Sequence, residues 1–253
     1  VPRDPWKEAQ RIVCQIEDRA PKAWHPKEED GSVHYHQSIW DVPLEEGEWC
    51  IMARTNRIAS RYAKALRDEG WVYSRFGHPS IPAKTYEAIT DWESWTRGVA
   101  LSPEKIRNVY TFMRADEGYS RGHGPRSKEL RSLDEAFLTT LPQARDTLGL
   151  LVEGDTRWHQ ALNKIDLETK NYVLNALKRK DNVKNPRIKI STIHSMKGGE
   201  CDNIVVVPDL SYAAHKTYRR DPSIEHRVYY VAVTRTKQSL HIMMPETKEF
   251  YEM

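Results

Sequence analysis

Hydroxyls, an imidazole, an ammonium group, two glycines and a carboxylate crowd into the stretch Ser191-Thr192-Ile193-His194-Ser195-Met196-Lys197-Gly198-Gly199-Glu200. An alternating strand at 187–191, with Ile188 and Ile190 on one face, leads into it. The apolar run Ile204-Val205-Val206-Val207 leads out of it. Loops at strand ends carry function while strands carry packing, so polar groups at this density between two core strands read as a ligand-binding loop. The loop is not a phosphate loop in its own right. No G-x-x-x-x-G-K-[ST] pattern occurs in the chain, and Lys197-Gly198-Gly199 does not make one.

Other constellations are weaker. His34 and His36 fall on one face of an alternating segment at 32–38. A metal site needs a third ligand, so an exposed polar face is the favoured reading. Cys14, Cys50 and Cys201 are far apart with no CxxC pair, which argues against a disulfide framework and against zinc; no metal site is expected. Eight tryptophans offer stacking faces for bases, but Trp is mostly a core residue, and packing is the favoured role.

The elements that must hold the loop form two α/β segments around a helical one. A helix is expected at 4–20, with Trp6, Ala9, Ile12, Val13 and Ile16 at helical spacing and Pro21 as its stop. The run Glu48-Trp49-Cys50-Ile51-Met52-Ala53 has the character of a buried parallel strand. Arg54-Thr55-Asn56 follows, then a helix with Ile58, Tyr62, Ala65 and Leu66 on one face, Gly70 as its stop, and a strand at 71–76. This is a βαβ unit. Between residues 81 and 184 the pattern turns helical, with candidates at 85–95, 103–114, 132–141 and, in two pieces, 157–179; a glycine-rich connection spans 116–126. After Pro186 the α/β pattern returns. It continues through an exposed basic loop with Lys216, Arg219 and Arg220, a helix at 222–237 and a last strand at 239–244. The expected fold is a parallel-sheet α/β domain built from residues 1–80 and 185–253, interrupted by an all-helical insertion at 81–184.

Composition sets outer limits. The 253 residues are 39% hydrophobic and 30% charged, with a formal net charge of +3. That balance fits an ordinary solvated surface as well as a nucleic-acid partner. No apolar run approaches the roughly 18 residues that cross a membrane, and no signal peptide is visible, so a cytoplasmic location without a membrane partner is expected. The opening Val1-Pro2-Arg3-Asp4-Pro5 lacks an initiator methionine and reads as the start of a fragment.

Three segments, in order, resemble the second half of superfamily 1A DNA helicases of the UvrD/Rep type. Arg54-Thr55-Asn56 with its helix and Gly70 resembles the segment after their fourth motif. Thr192 to Glu200 resembles motif V, T-x-H-x-x-K-G-x-E. The stretch Glu225-His226-Arg227-Val228-Tyr229-Tyr230-Val231-Ala232-Val233-Thr234-Arg235-Thr236-Lys237 resembles motif VI, E-E-x-R-x-x-Y-V-x-x-T-R-A. The resemblance implies a RecA-like domain 2A carrying a helical subdomain 2B. It implies a partner RecA-like domain with the phosphate loop, and ATP with Mg2+ whose metal that missing N-terminal domain holds. Single-stranded DNA and single-strand/duplex junctions are the implied substrates.

Residue by residue, the resemblance makes Arg235 the arginine finger. Val228, Val231 and Ala232 lie seven, four and three residues before it, which places Arg235 at the edge of a buried helix face. Glu200 is implied to accept a hydrogen bond from the nucleotide ribose, with Gly198 beside it. Thr192, His194 and Ser195 are neutral donors suited to phosphate contacts that follow a strand without reading it, with His194 foremost. Lys197 touches the DNA backbone or pairs within its own domain. Arg54, with Asn56, contacts DNA or holds the cleft together. Arg227 is expected to pair with a carboxylate and Tyr230 to pack between domains. Lacking a phosphate loop, the chain alone should not hydrolyse ATP. A RecB-like repair nuclease and a non-catalytic DNA-binding module of the same fold are the competing readings.

Overall fold

The computed structural model describes residues 1–19, 24–196 and 198–253. In chain order the elements are α1 (Arg3–Val13), β1 (Ser32–His36), β2 (Trp49–Ala53), α2 (Asn56–Asp68), β3 (Tyr73–Arg75), β4 (His78–Pro79), α3 (Ala83–Thr96), α4 (Pro103–Thr111), α5 (Lys128–Ser132), α6 (Leu141–Thr147), α7 (Trp158–Ala161), α8 (Leu167–Arg179), β5 (Ile188–Thr192), β6 (Cys201–Val206), α9 (Tyr212–Arg220), α10 (Pro222–Val233) and β7 (Thr236–Met243). The chain divides into two compact units, Val1–Ser80 with Asn185–Met253, and Ile81–Lys184.

The first unit is organised around β2, which is buried at every position. Its alternation sends Trp49, Ile51 and Ala53 to one face and Cys50 and Met52 to the other. A strand apolar on both sides needs cover on both faces, which is the doubly covered parallel arrangement. On one face lie Ile58, Ala59, Tyr62, Ala63 and Leu66 of α2. On the other lie Ala9 and Ile12 of α1 and Tyr229, Ala232 and Val233 of α10. The sheet order is β1-β7-β6-β2-β5-β3-β4, parallel except for the terminal β3–β4 hairpin. This is a RecA-like sheet.

The second unit contains α3 to α8 and, among the described residues, only isolated β-bridges. Its core is aromatic and hydrogen-bonded. Trp92 and Trp95 pack edge to face at 6.2 Å, and their indole N–H groups donate to the carbonyls of Thr156 and Thr139. Tyr110 stacks on Tyr119 and donates to the Leu148 carbonyl. Trp49, Trp71, Trp92, Trp95 and Trp158 are all buried, so their faces are closed to bases.

Several expected boundaries move. The first helix stops at Val13, where Gln15 and Ile16 turn back onto Ile12 and Val13; the expected stop at Pro21 lies outside the described residues. The stretch 132–141 is a connection between α5 and α6 and not a helix. The expected basic loop is helix α9. It was illegible as a helix because it buries no residue, its start being set by Ser211, whose hydroxyl accepts from the Ala214 N–H. The strand expected at 71–76 ends at Arg75, and Phe76-Gly77 form a turn into β4.

His34 and His36 acquire a third neighbour across the sheet, His241 of β7. His36 Nε2 and His241 Nδ1 share a 2.8 Å hydrogen bond, and Ser239 Oγ reaches His241 Nε2 at 2.9 Å. The Trp49 ring meets His241 edge-on, while Asp41 acts on His36 from the 3-10 turn before β2. Among the described residues, no group of three or more His, Cys, Asp or Glu is arranged to hold a metal ion. Burial, then the charges of His34 and His36, pushes His241 down to about 4 from its ordinary 6.5. A histidine held neutral in the fold but free to ionise when unfolded leaves stability intact above pH 6.5 and removes it as pH falls toward 4. Chemical denaturation at pH 7 and pH 4.5 should differ by about 2–3 kcal/mol from this residue. In His241→Asn the acid-dependent loss should shrink by that amount.

Candidate functional site

The chemistry-bearing loop is a short crossover between β5 and β6, which flank β2. Thr192 ends β5 in register with Ala53, the last residue of β2, at the C-terminal edge of the sheet. Cys201 begins β6 in register with Thr236, the first residue of β7, at the opposite edge. Residues 193–200 therefore carry the chain from one edge of the sheet to the other.

Ile193 anchors the loop. Its side chain is buried, and its N–H donates to the Ala53 carbonyl at 3.0 Å. A 3-10 turn, His194–Met196, follows, and Gly199 N–H closes onto the Met196 carbonyl at 2.9 Å. Gly198 has φ +87°, with nothing within 4 Å of where a Cβ would lie. Glycine is needed there for backbone conformation, not for close approach.

At the N-terminal edge of the sheet, the backbone just after Glu200 meets that of Arg235. The Cys201 N–H donates to the Arg235 carbonyl at 3.1 Å, so the residue after Glu200 is tied to Arg235 through the backbone. Glu200 is exposed and Arg235 half-buried. The α10 helix ends at Val233, so Arg235 lies beyond it, and its Nε donates to the Val231 carbonyl at 3.2 Å. The buried stripe of α10 runs through Glu225, Tyr229 and Ala232, while Val228 and Val231 are only half-buried. The expected shared face is thus rotated. A buried carboxylate, invisible to an apolar pattern, occupies the stripe in place of Val228.

That carboxylate gives Arg54, expected to contact DNA or to hold the cleft together, a partner inside its own unit. Arg54 follows β2 directly, and its Nε and Nη2 donate to both oxygens of Glu225 at 2.7 and 2.9 Å. Glu225 is 1% exposed. The bidentate pair keeps Arg54 charged and uses its fork inside the domain, joining the end of β2 to the start of α10. Nothing in the polarity of Glu225 marked it as buried; its place at the first position of motif VI was the available signal.

Thr192 also departs from its expected role as a surface donor. It is buried, its hydroxyl 2.7 Å from that of Ser195, and it accepts the Ser195 N–H at 3.2 Å. Thr192 shapes the turn, which leaves the exposed His194 and Ser195 at the C-terminal edge. Lys197 lies outside the described residues. Asn56 is the exposed first residue of α2, and the preceding Thr55 hydroxyl caps the helix through the Ile58 N–H. Arg227 donates to the Asp18 carbonyl and, among the described residues, to no carboxylate. Tyr230 meets Trp24 edge to face within its own unit, and Tyr229 is buried against Tyr251 at 4.1 Å.

The same C-terminal edge holds a network with no sequence forecast. Asp209, fully buried, accepts from the Thr247 N–H and hydroxyl and lies 3.7 Å from Arg61. It fastens the segment after β7 to the sheet.

A mostly parallel sheet of this order, covered by helices on both faces, is that of a RecA-like domain. The family of UvrD-like helicase C-terminal domains matches residues 85–247, and the chain belongs to that family. No curated protein matches the chain. The matched region takes in the helical unit, the loop and Arg235. It begins after Arg54 and Asn56, whose place at the site rests on the fold.

Proposed function

We propose that this chain is the 2A–2B half of an ATP-dependent DNA helicase that moves on single-stranded DNA. It would close one wall of an ATP site whose phosphate loop and magnesium ligands belong to an N-terminal RecA-like domain of the same polypeptide. The observation that carries the reading is the span of residues 193–200, with Glu200 at the Arg235 edge and His194 at the other.

The residues fit a nucleotide. Among the described residues Arg235's terminal nitrogens have no partner, while its Nε is oriented by the Val231 carbonyl. Phosphoryl transfer gathers charge on the γ-phosphate, and an arginine supplied across an interface stabilises it without covalent chemistry. Glu200 would accept from the ribose, with Gly198 providing the turn that presents it. Mg2+ would neutralise the phosphates from the partner domain's side. On the other edge His194, Ser195 and Asn56 would hold the DNA backbone, with Thr192 fixing the turn and Arg54 bracing the sheet. Closing and reopening of the ATP cleft would then shift the loop's grip along the strand.

Binding of labelled single-stranded DNA to the 253-residue chain tests the DNA half of this reading. The logarithm of affinity should fall linearly with that of salt concentration, with a slope of about −0.7 per phosphate neutralised. An affinity indifferent to salt would rule out phosphate recognition.

A further inference from the structure

The β3–β4 hairpin ends in a two-residue turn that chemistry alone would not fill as it is filled. Arg75 pairs with His78, leaving Phe76 and Gly77 as the turn, with φ +52° and +79°. Positive φ at both central positions is the turn that favours Asn-Gly or Asp-Gly. A bulky residue in the left-handed region is an outlier. Phe76 accepts that conformation while remaining 57% exposed, so no burial offsets the strain. Strained, exposed residues of this kind cluster at ligand sites.

Its position is specific. β3 lies next to β5, with Arg75 in register with Ile190, so the hairpin tip and the His194 turn leave adjacent strands at the same edge. Arg75 Nη2 donates to the Asn56 carbonyl at 3.1 Å, pinning the tip beside the start of α2. The Arg75 guanidinium also lies 5.0 Å from the Phe76 ring centroid. An aromatic face with a cation against it, set among backbone-contacting groups, is a platform on which an unpaired base stacks.

We infer that Phe76, backed by Arg75, stacks on one nucleobase of the single strand held at the C-terminal edge. This rests on the DNA-binding reading above and adds a base contact to it. Stacking is tolerant of sequence because every base has a π-face, so Phe76 confers grip and not readout.

The test uses Phe76→Asn, which installs the residue this turn prefers. The variant should melt at or above the wild-type temperature, showing that the fold survives. Its affinity for single-stranded DNA should fall about tenfold, with the salt slope unchanged because no phosphate contact is lost. On an oligonucleotide of the same length made of abasic sites, wild type and variant should bind alike. Equal affinities for the normal oligonucleotide, or the same loss on the abasic one, would overturn the stacking role while leaving salt-dependent binding in place. Wild-type chain that binds no single-stranded DNA would instead overturn the DNA-binding reading beneath it.

Discussion

Replacing Arg235 with alanine, in a polypeptide joining this chain to its partner RecA-like domain, is expected to lower ATP turnover by about 10³-fold or more. Single-stranded DNA affinity should stay within about twofold, since Arg235 sits at the N-terminal edge, away from the His194 turn. Two features make the expectation large. Arg235 follows the end of α10 and its Nε is fixed by the Val231 carbonyl, so the guanidinium is held before any nucleotide arrives. Charge placed in advance where the γ-phosphate becomes negative needs no reorganisation at the moment of reaction. Alanine removes that charge and leaves the backbone bond from Cys201 to residue 235 in place. Steady-state turnover beside fluorescence anisotropy with labelled DNA separates the two effects.

Glu225→Ala is expected to destabilise the first unit by about 3 kcal/mol or more, measured by urea denaturation of the 253-residue chain. The magnitude comes from what is left behind. Glu225 is buried and takes both donors of a bidentate arginine that is itself only 21% exposed. Removing the carboxylate strands the Arg54 charge against Tyr229, whose own hydroxyl is engaged with the carbonyls of Val207 and Pro208. Replacing both partners with methionine should cost much less, because an apolar pair leaves no uncompensated charge. A single-variant loss no larger than the double-variant loss would show that Arg54 finds water instead.

The contrast between these two arginines shows what the sequence could convey. The unbroken apolar run Trp49 to Ala53, the alternation of Ile188 and Ile190, the helical spacing of Ile58, Tyr62 and Leu66, and the polar loop between two apolar strands were all readable. Each is a local pattern that burial imposes directly on residue type. The Arg54–Glu225 pair was not readable, because it joins residues far apart in the chain and both look solvent-seeking until the fold encloses them. The same holds for His241, which turned an expected exposed histidine face into a partly buried trio. Helix α9 failed for the opposite reason: only Ala214 and Tyr218 pack against the core, both half-buried, and a stripe of two residues does not stand out in the sequence. Phe76 read as the end of a strand because an aromatic residue favours strands, and only the backbone dihedrals reveal a turn.

If residues 193–200 join an ATP edge to a DNA edge, as proposed, DNA must set the rate of ATP turnover. The decisive experiment is turnover of the polypeptide containing both RecA-like domains, titrated with single-stranded DNA. The expected result is a low basal rate that rises and saturates with DNA, with the rise abolished in Arg235→Ala. A rate indifferent to DNA, or wild-type turnover in that variant, would contradict it.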